Sequence, residues 1–137
     1  MRRWADHGNA AVETVLLVPV LMVVLAMMIA GGRILEAKSA VETVAREAAR
    51  AGSQASDPEE ALSIVRQRGE RLASELELDP ARLRVVADVG AFRRGEPFVV
   101  TATYTPRLDD LPALGLLPSS FQVEAKHVEL AERFKSR

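Results

Sequence analysis

An uncharged apolar run from Val15 to Gly32, 18 residues long, constrains this chain more than any other feature. At about 1.5 Å per residue it makes a helix of about 27 Å, close to a bilayer's hydrocarbon core of about 30 Å. Including Ala10 to Thr14 lets that helix span. A cleaved secretory signal would need a shorter apolar core ending in small residues at alternate positions, and Met28-Ile29-Ala30 supplies a poor site of that kind. The expectation is therefore a membrane-spanning helix. Arg2 and Arg3 ahead of it favour a cytoplasmic N-terminus with the C-terminal part outside, a bias reduced by Arg33 and Lys38 at the other end.

The charges lie wholly outside this run. Averaged over 137 residues, 48% hydrophobic and 27% charged would suit one ordinary compact domain. The average conceals a membrane anchor followed by one small domain. A formal net charge of −1 leaves no excess of basic residues to neutralise phosphates, so a nucleic-acid partner is not expected. The absence of cysteine removes disulfides, thiolate catalysis and cysteine metal sites together. It leaves an extracytoplasmic location open, because disulfides are permitted there and not required.

Two residues within the apolar stretch are expensive there. Pro19 removes one backbone donor and crowds the preceding turn, which predicts a kink or local unwinding over Val15 to Pro19. Membrane helices tolerate proline where neighbouring groups satisfy the freed carbonyl. Glu13 puts a carboxylate in the first turns of the span, at a cost of several kcal/mol (about 2.5 or more) if it enters hydrocarbon unpaired. Two readings follow. Glu13 either marks the boundary, in contact with headgroups and water, or it meets a cation from another chain.

Gly8-Asn9-Ala10-Ala11-Val12-Glu13, followed by a long apolar helix with an early proline, resembles the processing site of type IV prepilins and pseudopilins. The wider phrase through Thr14-Val15-Leu16, with Pro19 after it, is similar to the TadE-like pseudopilins of tight-adherence (Tad, or Flp-type) pilus systems. Ala45-Arg46-Glu47-Ala48-Ala49-Arg50-Ala51-Gly52 resembles that family's segment of small residues and arginines. Arg94-Gly95-Glu96-Pro97, leading into Phe98 to Tyr104, is similar to its hairpin entry. Thr14 stands where the family commonly has Phe, and the outer domain has no cysteine.

The resemblance implies residues 1–8 as a cytoplasmic leader, 9–32 as the transmembrane helix and 33–137 as an extracytoplasmic α+β domain. It implies cutting by a membrane prepilin peptidase between Gly8 and Asn9, which makes Glu13 the fifth residue of the mature chain. A glycine suits such a cut because a residue without a side chain lets the backbone lie extended against a catalytic site. The new Asn9 amine is positive, and family chemistry allows its methylation. Glu13 of one subunit is then expected to pair with the Asn9 amine of a neighbour, an attraction that low dielectric strengthens while penalising either charge alone. The implied partners are the membrane, the peptidase, other pilin or pseudopilin subunits and the assembly platform, in pilus assembly, adhesion or secretion.

Beyond Gly32 the helical period continues. Val41, Val44, Ala45 and Ala48 recur at i, i+3, i+4 and i+7, while Glu42 and Arg46 form an i, i+4 pair on the polar side. This narrow stripe is expected to pack on the chain's own domain, with a subunit interface as the alternative, and Gly52 is expected to end the helix as a left-handed cap. Asp57 as N-cap, Pro58 at the first helical position and Glu59-Glu60 in the first turn announce a second helix. Its packing stripe reads Leu62, Val65, Gly69, Leu72 and Leu76, opposite a solvated face of Arg66, Arg68, Glu70, Arg71 and Glu75. Asp79-Pro80 is expected to break it.

From Leu83 the period changes to two. Leu83, Val85, Ala87 and Val89 form one side of a strand, and Phe98, Val100, Ala102 and Tyr104 one side of the next, joined by a hairpin loop over Gly90 to Pro97. Gly95 is expected to supply the positive φ such turns need, and Arg93 and Arg94 at the tip are read as solvated. Thr105 to Ser120 combines Pro106, Pro112 and Pro118 with Leu108, Leu111, Leu114, Leu116 and Leu117. It reads as a packed crossover with a short helical turn around Leu111 to Leu114. Phe121, Val123 and Ala125 start a third strand before a charged end from Glu129 to Arg137. His127 shares their parity and reads as a strand-end residue. His7 lies across the membrane from it, so the two histidines cannot share a metal.

The predicted fold class is thus α+β: a long N-terminal membrane-spanning helix continuing into a small domain, with a second helix packed on a three-stranded antiparallel sheet. No nucleophile and base pair, phosphate loop or metal-ligand cluster stands out, so no catalytic, cofactor or metal residues, no small-molecule substrate and no enzyme activity are expected. The site residues are Gly8 and Asn9 for processing and Glu13 and Pro19 for assembly. Three classes follow in order: a cleaved pseudopilin, an unprocessed single-pass accessory or sensor protein with an outer interaction domain, and a membrane-tethered enzyme.

Overall fold

A computed structural model describes residues 5–111 and 121–131. Five principal elements follow one another: helix α1 (Ala5–Ser53), helix α2 (Pro58–Glu75), and strands β1 (Leu83–Asp88), β2 (Pro97–Tyr104) and β3 (Val123–Leu130). A short 3-10 turn, Pro80–Arg82, precedes β1. The chain divides into two compact units, Met1–Arg33 with Arg107–Ser119, and Ile34–Pro106 with Ser120–Arg137.

In the first unit α1 presents its apolar side chains outward. Val15, Leu16, Leu21 and Met28 are each at least two-thirds exposed, at 71%, 67%, 68% and 70%. Such a surface suits hydrocarbon and not water. Among the described residues one helix, with mean hydropathy 2.6 over its most apolar 18-residue window, is long and apolar enough to cross a membrane. The expected unwinding at Val15 to Pro19 is absent: α1 is helical without interruption through Pro19. The ring removes a single intrahelical donor, and the apolar turns on both sides keep their own hydrogen bonds. Ala26, Ala30 and Leu111 are buried in this unit. Leu111 N–H donates to Leu108 O at 3.3 Å. The expected helical turn reaching Leu114, together with Leu116, Leu117, Pro112 and Pro118, lies outside the described residues, as do Arg2, Arg3 and the charged end beyond Ala131.

The second unit is built around an antiparallel sheet of order β1-β2-β3. Register is set by the alternation: Val85 opposes Ala102, and Tyr104 opposes Val123, so the inward residues of all three strands meet on one face. On that face, Val41, Val44 and Ala45 of α1 join Leu72 and Ala73 of α2, Ala102 and Tyr104 in one core cluster. A second cluster gathers Ala48, Ala49, Val65, Phe92, Phe98 and Val100. The stripe expected on the outer part of α1 is therefore the wall of this domain's own core, and the predicted α+β arrangement is present. The opposite face of the sheet leaves Val86, Val128 and Leu130 exposed.

Four local expectations are corrected. Gly52 is not a left-handed cap; it sits inside α1, where a Cβ would come within 2.6 Å of Val65 Cγ2 and 2.8 Å of Phe98 Cζ. Its role is close approach of helix to core. The buried stripe of α2 is Ala61, Val65, Gly69, Leu72 and Ala73, while Leu62 and Leu76 keep 40% and 36% of their surface exposed, because Gly69 seats the helix over Val85 and turns the flanking leucines outward. Asp79-Pro80 does not end α2, which stops at Glu75. Leu78 N–H donates to Ala73 O at 2.8 Å and Glu77 N–H to Ser74 O at 3.4 Å, the paired bonds of a Schellman terminus with Glu77 at φ 56°. Phe121 is exposed ahead of β3, and His127 lies inside that strand, which runs on to Leu130 because Val128 pairs with Val99 and Leu130 with Pro97.

The remaining turn chemistry follows expectation. Asp57 accepts from Glu60 N–H at 2.8 Å as the N-cap of α2, with Pro58 following it. Gly95 takes φ 83° in the β1–β2 loop. Gly95 N–H donates to Ala131 O at 3.1 Å and Ala131 N–H to Glu96 O at 3.0 Å, tying that loop to the end of β3.

Candidate functional site

The four residues singled out for processing and assembly all lie on one element. Gly8 and Asn9 are in the first turns of α1, Glu13 follows one turn after Asn9, and Pro19 is inside the same helix. The Gly8–Asn9 peptide bond thus has helical neighbours on both sides. Glu13 and Pro19 are exposed, in the part of α1 whose surface is apolar from Val15 onward. A spacing of four places the Asn9 and Glu13 positions on the same side of the helix. Pro19 follows Glu13 at an offset of six positions, which puts them on different sides. Pro19 has no N–H to give to Val15 C=O, so that carbonyl is open to a donor from outside the helix.

Arg33 ends the apolar stretch, and the sequence marked it only as a charge weighing on orientation. Its Nη1 donates to Asp110 Oδ1 at 2.6 Å and to Arg107 O at 3.3 Å. Both side chains are exposed. The hydrogen bond from Arg33 holds the Asp110 carboxyl below the usual carboxylate range, and the same bond raises the Arg33 guanidinium. No local pattern around Leu108-Asp109-Asp110 announces this pair, since its members are 77 residues apart.

The span that holds these residues is also the span with a family likeness. Residues 8–50 match the family of TadE-like proteins. The likeness covers that segment alone, within a chain of 137 residues. The match opens at Gly8, the glycine ahead of the expected cut, and closes at Arg50, so it takes in the apolar part of α1 and the small-residue stripe beyond it. No curated protein and no solved structure matches the chain.

The apolar helix within this segment fits a membrane location. The β-rich part of the second unit lies outside the match. Among the described residues every buried side-chain nitrogen and oxygen has a hydrogen-bond partner, and no three His, Asp or Glu residues are grouped to hold a metal ion.

Proposed function

We propose that this chain is a structural pseudopilin of a Tad-type pilus or related secretion machine, cut after Gly8 and assembling through α1. The observation that carries the reading is the coincidence of the TadE-like match with Gly8 and with the helix that bears Glu13 and the outward apolar surface. The N-terminus faces the cytoplasm, the domain after Gly32 lies outside, and the chain works as a building part and not as an enzyme. Its partners are a prepilin peptidase, neighbouring pilin or pseudopilin subunits and the assembly platform, with no nucleic acid or small-molecule substrate.

Cutting between Gly8 and Asn9 changes the electrostatics of the helix end. α1 would begin at Asn9, so Glu13 would stand at the start of the shortened helix, where free N–H groups and the positive end of the macrodipole stabilise a carboxylate. The new amine adds a full positive charge. In a bundle of such helices Glu13 of one subunit pairs with the Asn9 amine of the next and sets their axial register. A lone Glu13 in hydrocarbon is costly, so the pair makes assembly at the wrong register unfavourable. Donors on a neighbouring helix would likewise satisfy the carbonyl that Pro19 leaves open at Val15.

Mass spectrometry of the chain from cells with an active cognate peptidase tests the cut. The mature protein should begin at Asn9, and Gly8→Val should leave it uncut; a wild-type chain still beginning at Met1 sinks the processing claim and leaves an unprocessed accessory or sensor protein. Assembly is tested separately. Glu13→Ala should insert normally while co-purifying less with other pilus subunits, and unchanged recovery would count against the charge pair.

A further inference from the structure

A polar cleft lies wholly within the second unit, between the outer part of α1 and β3. Its larger hollow, about 340 Å³, is lined by Arg46, Glu47, Arg50 and Gln54 on the helix side and by His127 and Glu129 on the strand. A second hollow of about 330 Å³ continues it, sharing Arg46 and His127 and adding Glu42, Glu124 and Lys126. Four successive residues of β3, Glu124 to His127, border this second hollow. A sheet face would offer only alternate residues, so it is the edge of the strand that the cleft exposes. Among the described residues β3 is an outer strand of the sheet, paired on one side with β2 and open on the other.

The charges of the larger hollow are unevenly committed. Glu47 pairs with Arg68 of α2 at 3.5 Å, and Glu129 lies 3.1 Å from His127 Nε2. Arg46 and Arg50 are exposed and have no ion pair among the described residues, so the expected Glu42–Arg46 pair is not formed. They stand one helical turn apart, with Cβ atoms about 5–6 Å from each other. Two guanidinium forks at that spacing suit a carboxylate, which each can grip through parallel N–H donors.

We propose that this cleft receives an extended segment of a partner protein, which adds as a strand to the free edge of β3 and places an acidic side chain between Arg46 and Arg50. The backbone edge supplies affinity through main-chain hydrogen bonds, and the arginine pair supplies selection for an acid at one position. An unpaired edge also needs cover to avoid indiscriminate pairing, and the two arginines, with the cation of Lys126 beside them, specify what kind of strand should cover it. The site involves neither the Gly8–Asn9 bond nor Glu13, so it stands or falls independently of processing.

The test uses the full chain in detergent micelles and two fluorescently labelled hexapeptides of alternating Thr and Val, one with a central Glu and one with Gln in its place. Anisotropy should show the Glu peptide binding about tenfold more tightly, an advantage that shrinks as salt screens the contact. Arg46→Gln with Arg50→Gln should erase that advantage while leaving the Gln peptide's binding unchanged, since both side chains are exposed and outside the core. Amide resonances of residues 123–130 should shift on binding. Equal affinity for the two peptides, no binding of either, an advantage that survives the double substitution, or shifts confined to other elements would each overturn the proposal.

Discussion

A methyl group added at Gly52 would come within 2.6 Å of Val65 Cγ2 and 2.9 Å or less of two Phe98 ring atoms. Those neighbours are core side chains, with Phe98 at 1% exposure and Val65 at 2%, and they have little room to give. Gly52→Ala should therefore destabilise the second unit by about 1–3 kcal/mol, despite alanine's better helix propensity. Denaturant midpoints in detergent measure this, with Gly32→Ala as the control, since nothing lies within 4 Å of a Cβ there. Phe92 is the counterpart in a loop. It holds φ 45° without being glycine because its buried ring packs edge-on to Phe98 at 6.0 Å between centroids. Asp110 offers a titration. Its carboxyl is held low in the folded chain by Arg33, so the pair's contribution is complete above the ordinary carboxylate range and disappears as pH falls through the lowered value. An NMR titration should find Asp110 below the usual range, returning toward it in Arg33→Gln; both groups are exposed, so the gain in stability is small.

Elements were legible where a local rule acts without help from distant residues. Asp57-Pro58 with Glu59-Glu60 marks the start of α2 because capping needs only the next three residues. The period of two gave β1 and β2 their inward residues, since one half-buried face enforces the alternation. The end of α2 was not legible in the same way. A glycine is the usual left-handed residue of a Schellman terminus, and here Glu77 takes that place, held by the burial of Leu78 against the core. Glu77→Gly should relieve the left-handed cost and raise stability by about 0.5–1 kcal/mol after the entropy of the unfolded glycine is subtracted. A fall in the denaturation midpoint would contradict that account. The stripe of α2 was misread for a related reason: Leu62 and Leu76 match the helical period, but Ala61 and Ala73 allow closer approach and take the inner positions.

On the scale of the whole molecule, α1 has two jobs along its 49 residues. Up to Arg33 its apolar side chains face outward, and from Ala37 its small residues are the wall of a water-facing domain's core. A charge in the middle of the first part should disturb only membrane insertion. Leu21→Arg, at a position 68% exposed, is expected to cost about 2.5–3.5 kcal/mol of insertion and to lower the membrane-integrated fraction in a carbonate-extraction assay. Unchanged integration would argue that this stretch does not span. The sequence by itself determined the long apolar helix, the α+β order of elements, the cap of α2, the alternation of the strands and the run from Gly8 to Glu13, because each depends on residues within a few positions of one another. Tertiary structure decided that Gly52 packs inside a helix and does not cap it. It decided that Arg33 meets Asp110, and that Arg46 and Arg50 border the open edge of β3. Those outcomes depend on which distant side chain arrives, and a local pattern carries no information about its neighbour 77 residues away.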